Sequence, residues 1–167
     1  IGGNEQAAWL SGVPVGRYKV AIYALSGLMA GQKFSVTMSG DVSLNKRPME
    51  RVATPLRDMG VTVETAEGGR PPLKITGSSA LKAIHYDMPM ASAQVKSCVL
   101  LAGLYADGTT SVTEPAPTRD HTERMLRGFG YDVQSRDGVI SLEGGGRLTA
   151  CDIDVPADIS SAAFFLV

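Results

Sequence analysis

The sequence predicts an α/β (α+β) fold of repeated βαβαββ units, with buried helices lying between mixed sheets. Three observations lead there. Short motifs recur along the chain at a slowly shrinking offset, each copy alternates helix-period with strand-period segments, and 44% of the 167 residues are hydrophobic, enough for one real core.

The repeat is legible residue by residue. Leu25-Ser-Gly27-Leu28-Met-Ala30 returns as Leu101-Ala-Gly103-Leu104-Tyr-Ala106, 76 residues on, and Ser35-Val36-Thr37 returns at the same offset as Ser111-Val112-Thr113. Leu56-Arg57-Asp58-Met59-Gly60 returns as Leu126-Arg127-Gly128-Phe129-Gly130 after 70 residues, and Pro89 as Pro156 after 67. Shorter loops in the second copy produce this drift.

In the first copy, Pro48 suits a first helical position. Pro55 falls inside Met49–Met59, so this helix is expected to kink there or to start later. Gly68-Gly69-Arg70-Pro71-Pro72 reads as a turn before a strand over Leu73–Thr76. The second copy opens with a helix over Ser92–Ala106, apolar nearly all round and therefore buried. Thr109–Thr113 is a β-branched strand. Asp120-His121-Thr122-Glu123 has the spacing of a capping box and starts a helix to Phe129, which Gly130 ends as its C′ residue. Asp137-Gly138 is a two-residue hairpin turn between Tyr131–Ser135 and Val139–Leu142.

Bulk properties exclude several classes. A net charge of −1 offers no polycationic face for nucleic acid, and 6% aromatics offer no stacking platform. No apolar run is long enough for a membrane span. Two cysteines, Cys98 and Cys151, and two distant histidines, His85 and His121, match no metal-ligand spacing, so neither a metal nor another cofactor is expected. Cys98 reads as a buried thiol of a reduced, cytoplasmic protein. The final residues, Ser160 to Val167, read as a helix cut off mid-turn, so the chain is expected to be a fragment.

Chemistry concentrates at three helix starts that favour anions through unpaired amides and nearby polar side chains: Asp41–Met49, Ala91–Lys96 and Pro117–Glu123. Plain alternatives exist for each. Arg47 could simply pair with Asp41 or Glu50, Ser92 could be an ordinary N-cap, and Arg119 could be a solvated loop residue. His121, at the start of its helix, reads as structural; Asp158 and Ser160-Ser161 read as caps of the last helix.

At these residues the chain resembles the 5-enolpyruvylshikimate-3-phosphate synthase family of enolpyruvyl transferases. The likeness runs over residues 21–167 and is densest in Gly40–Met49, Pro89–Lys96, Thr113–Leu126 and Val155–Phe164. The resemblance implies a two-domain enzyme built from βαβαββ units, of which this chain is a partial first domain of about two units. It implies transfer of the enolpyruvyl group of phosphoenolpyruvate to the 5-hydroxyl of shikimate 3-phosphate, with release of phosphate. By the same resemblance Arg47 grips phosphoenolpyruvate through its two-pronged guanidinium, with Lys46 as a supporting charge. Ser92, Ala93 and Gln94 hold shikimate 3-phosphate, Gln94 also reaching the second substrate, and Arg119 contacts shikimate 3-phosphate as in some members of the family.

Departures matter as well. Residues 1–20 do not resemble the family and stay unassigned; a chimeric or frame-shifted start would produce this abrupt junction, and an altered inhibitor or substrate pocket is the other explanation of the departures. Where the family carries Asn-Ser/Ala-Gly-Thr-x-x-Arg, this chain reads Arg17 to Tyr23, with Lys19 at the glycine and Tyr23 at the arginine. No general acid–base pair is found, so no catalytic residue is assigned. Small-molecule substrates, and the missing parts of the same enzyme, are the expected partners. Two further readings stand beside this one: a related UDP-N-acetylglucosamine enolpyruvyl transferase, disfavoured because no cysteine stands just ahead of Arg47, and a non-catalytic binding or complementation fragment.

Overall fold

A computed structural model describes residues 15–42 and 44–152. The chain begins with helix α1 (Val15–Ala30), strand β1 (Ser35–Met38), a 3₁₀ turn (Leu44–Lys46), helix α2 (Glu50–Asp58) and strands β2 (Thr62–Ala66) and β3 (Arg70–Thr76). It continues through β4 (Leu81–Lys82), β5 (His85–Asp87), helix α3 (Ala93–Gly103), β6 (Ala106–Asp107), β7 (Thr109–Thr113), helix α4 (His121–Gly128), β8 (Val133–Arg136) and β9 (Val139–Glu143).

From β5 onward the order is βαβαββ with the two-residue β6 added just before β7, and the first copy runs αβαββ among the described residues. Beside a two-stranded parallel pair, β4-β6, the two larger sheets are antiparallel and mixed, with the same connectivity. Strand order β1-β3-β2 in the first copy corresponds to β7-β9-β8 in the second, where β5 is added in parallel beside β7. The pairings Val36↔Ile75 and Ser35↔Thr76 return as Val112↔Ile140 and Ser111↔Ser141. The hairpin strand then differs: Val63 faces Ile75, whereas its counterpart Val133 faces Leu142, two residues beyond Ile140. A slip of two keeps each side chain on its face, so the buried set survives.

Repeated local locks fix each helix to its following strand. Arg57 Nε donates to the Val63 carbonyl at 3.0 Å, and Arg127 Nε to the Val133 carbonyl at 2.9 Å. Gly60 and Gly130, with φ of 89° and 73°, make the left-handed turn after each helix that an L side chain resists. Between the copies, α1 packs along α3, and a Cβ on Gly27 would stand 2.3 Å from the Cys98 carbonyl oxygen. That approach places α3 in the centre of the core, where Cys98, Val99 and Leu100 are wholly buried.

Several expectations are corrected. Helix α2 does not start after Pro55 but runs through it from Glu50, and the Pro55 carbonyl still accepts from the Met59 amide at 3.0 Å. The first helical position belongs to Glu50, with Met49 flanking it, so Pro48 lies outside the helix. Strand β3 starts at Arg70, so Pro71 and Pro72 lie in the strand and the turn is confined to Glu67–Gly69. Helix α3 stops at Gly103, since Ala106 is taken into β6 beside Leu81. The Asp137-Gly138 turn is present, both residues having positive φ. The expected helix at Ser160 to Val167 lies outside the described residues.

Candidate functional site

Of the three helix starts, only that of α3 carries a side-chain cap. Ser92 is extended (φ −153°, ψ 105°), and its Oγ accepts the Val95 amide at 3.4 Å while donating to Gln94 Oε1 at 3.2 Å. The Lys96 amide closes the first helical bond to the Ser92 carbonyl at 3.1 Å. The amides of Ala93 and Gln94, ahead of that bond, have no carbonyl within the helix to reach and point outward along its axis. Ser92 itself is buried, with Ala93 and Gln94 half-buried beside it, so a hydroxyl, backbone amides and a carboxamide come together at one buried helix end. Such a set suits phosphate or carboxylate oxygens.

The capping box expected at Asp120 is absent. Asp120 makes no side-chain cap; its carboxylate instead accepts from Arg124 Nε at 2.7 Å, and this hydrogen bond holds the Asp120 carboxyl below the usual carboxylate range. Glu123 does not turn back to the helix start. It goes inward to Lys96, Oε1 to Nζ at 2.6 Å, because a buried ammonium attracts a carboxylate far more strongly than a solvated amide does. Lys96 also pairs with Glu114 at 3.1 Å. The three side chains are 1%, 3% and 9% exposed for Lys96, Glu123 and Glu114, so this is a buried network of one cation and two carboxylates. Sequence reading missed it. The available signal was a lysine inside an otherwise apolar helix, which has to find an opposite charge.

The loop bearing Arg119 is attached to that network. Thr118 Oγ1 donates to Glu114 Oε1, and Arg119, the next residue, is exposed. A second tie runs beside it: Ser97 Oγ lies 2.7 Å from Thr122 Oγ1. Ser92, Gln94 and Arg119 are thus carried by elements joined through short, named contacts. His121 is the exposed first residue of α4.

Arg47 belongs to the first copy. Asn45 closes the turn ahead of it, its Oδ1 accepting the Gly40 amide at 3.0 Å, which sets Lys46 outward and Arg47 half-buried. Glu50, one of the suggested surface partners of Arg47, is paired with Arg57. Helix α2, just after Arg47, packs on α3. An open groove of about 440 Å³ beside Tyr131, Glu143 and Arg147 includes none of the predicted residues. Among the described residues no group of His, Cys, Asp and Glu could hold a metal ion, and no helix is long and apolar enough to cross a membrane.

Comparisons with known proteins agree with the resemblance. The 3-phosphoshikimate 1-carboxyvinyltransferase of Hydrogenovibrio crunogenus is 63% identical over 158 residues, covering 92% of this chain and 36% of that protein. That of Methylococcus capsulatus is 60% identical over 153 residues, covering 92% and 35%. A solved EPSP synthase from Acinetobacter baumannii superposes with a TM-score of 0.82 at 62% identity, over 88% of this chain and 33% of that one. The chain therefore spans about a third of the length of the relatives it matches. With the sequence profile of EPSP synthase (3-phosphoshikimate 1-carboxyvinyltransferase) matching residues 19–167, the chain belongs to that family.

Proposed function

We propose that this chain supplies part of the substrate surface of an enzyme that transfers the enolpyruvyl group of phosphoenolpyruvate to shikimate 3-phosphate. The observation that carries this reading is the buried helix start at Ser92, where a hydroxyl, outward amides and the Gln94 carboxamide meet beside the loop of Arg119. In this reading Ser92, Ala93 and Gln94 bind the phosphate of shikimate 3-phosphate, and Arg119 adds a guanidinium at the rim. Arg47, on the first copy, grips phosphoenolpyruvate on the same cleft wall. A cytoplasmic setting belongs to the proposal; its support is two free cysteines, Cys98 buried and Cys151 exposed, which fit a reducing compartment.

Titrating the chain with shikimate 3-phosphate while following amide signals tests the reading. Weak binding is expected, with Kd on the order of 1 mM, because a chain of this span presents only part of the substrate clamp. Shifts should centre on Ser92, Gln94 and Arg119. Saturating shifts confined to other residues would refute the assignment.

The chain alone is expected to release almost no phosphate from the two substrates, since no acid–base pair is assigned here. A complementation reading is favoured by the one-third span of the matched relatives. Supplying the remaining part of such a relative as a second chain would then restore phosphate release.

A further inference from the structure

The buried Lys96 network has no role in the function proposed above, and the first copy shows that the fold does not require it. At the repeat offsets of 76 and 70, the positions of Lys96, Glu114 and Glu123 are occupied by Val20, Met38 and Ala53. Met38 packs against the core and Ala53 is wholly buried, so an apolar set completes the same architecture there. A buried ion network seldom stabilises more than well-packed apolar residues, because desolvation offsets its attraction. Here the charges do not even balance: one ammonium faces two carboxylates, and Glu123 Oε2 has no hydrogen-bond partner among the described residues.

Position explains what the network does. Lys96 lies one turn inside α3 from Ser92, and its amide is bonded to the Ser92 carbonyl. Glu114 accepts from Lys96 with the same oxygen that accepts from Thr118, the neighbour of Arg119. Glu123 draws in the first turn of α4, immediately after Arg119 and Asp120. We infer that Lys96, Glu114 and Glu123 form a positioning network that holds the Arg119 loop in register with the Ser92 helix start. This rests on the reading of Ser92 and Arg119 as phosphate-binding residues. Low-dielectric surroundings strengthen each charged contact, so the loop is held at both of its ends.

The test exchanges the network for the first copy's residues, Lys96→Val with Glu114→Met and Glu123→Ala, in the whole 167-residue chain. Backbone order parameters of Thr118 and Arg119 should fall from about 0.85 to below about 0.6, while those of Val95 and Cys98 stay rigid. Unchanged values at Thr118 and Arg119 in the folded variant would overturn the inference. If the triple variant does not fold, Thr118→Val, which cuts only the link from loop to network, is judged by the same criterion. A ligand arm separates this idea from the function it rests on. Arg119→Ala should weaken shikimate 3-phosphate binding about tenfold in the native chain and less than about twofold in the exchanged one. Equal losses in both would overturn the positioning role. A native chain that binds no shikimate 3-phosphate would refute the proposed function, with the order parameters still deciding the network.

Discussion

The two copies solve the same packing problem with different chemistry at three corresponding positions. In the first copy Met38 and Ala53 pack apolar side chains at two of these positions, and the sequence has Val20 at the third; in the second, Lys96, Glu114 and Glu123 place three charges in the core. Apart from the two-residue slip of the hairpin strand, their backbones agree down to the Arg57 and Arg127 locks and the Gly60 and Gly130 turns. A charged interior is thus not a demand of the βαβαββ unit. It accompanies the copy whose helix start at Ser92 has a capped, polar end, and the comparison separates what folds the chain from what arranges its surface.

The largest expected effect comes from breaking that network unevenly. Lys96→Met strands two buried carboxylates and should cost about 3–5 kcal/mol in urea unfolding, whereas exchanging all three residues for the apolar set should cost distinctly less. Equal losses would show that packing, rather than charge, is what the second copy needs.

Next comes the helix pair. Gly27 and Gly103 are repeat partners, yet a Cβ on Gly27 meets the Cys98 backbone at 2.3 Å, while one on Gly103 meets the Thr110 side chain at 2.8 Å. Gly27→Ala should therefore destabilise by about 2–3 kcal/mol, because α1 and α3 must move apart. Gly103→Ala should cost somewhat less, about 1–2 kcal/mol, since its clash is milder and alanine favours helix, although the buried Thr110 Cβ moves only with strand β7. Thermal unfolding of the two variants side by side checks the order.

Cys98 provides a pH-dependent difference. Its counterpart in the first copy is Ile22, which cannot ionise, whereas burial pushes the Cys98 thiol up from 9.0 to about 12. The folded state keeps this proton while the unfolded chain loses it. The contribution of Cys98 is therefore intact below pH 9.0 and declines from there to about pH 12, by about 1.4 kcal/mol per pH unit. Cys98→Ala should flatten this part of the stability profile; an unchanged slope would place the titration elsewhere.

The smallest effects lie at the surface. Arg127→Gln removes the bond to the Val133 carbonyl and should cost about 1 kcal/mol, with Arg57→Gln slightly worse because it also releases Glu50. In Arg124→Ala, the Asp120 carboxyl should titrate at higher pH, back toward the usual carboxylate range, with no measurable change in unfolding. Whatever the exposed pair adds is too small to register in unfolding; it is complete above the ordinary carboxylate range and is lost as acid protonates Asp120.

The sequence by itself determined the repeat, the helix and strand order within each described copy, the Ser92 cap, the buried Cys98 and the Asp137-Gly138 turn. These depend on local rules: hydrophobic period, capping chemistry and the backbone freedom of particular residues. Where it erred, a distant partner overruled a local preference. Glu123 has the spacing of a capping box, but Lys96 lies nearby only after α4 folds against α3. Ala106 has the look of a helix end, yet Leu81 pairs with it as strand. Pro71 and Pro72 look like turn residues, but they lie within β3 at an irregularity, between the Glu64↔Lys74 and Ala66↔Arg70 pairs that hold the strand to β2. Tertiary structure alone decided where the three buried charges meet and how they reach the Arg119 loop, because Coulomb attraction acts through space between residues that the chain keeps far apart in sequence.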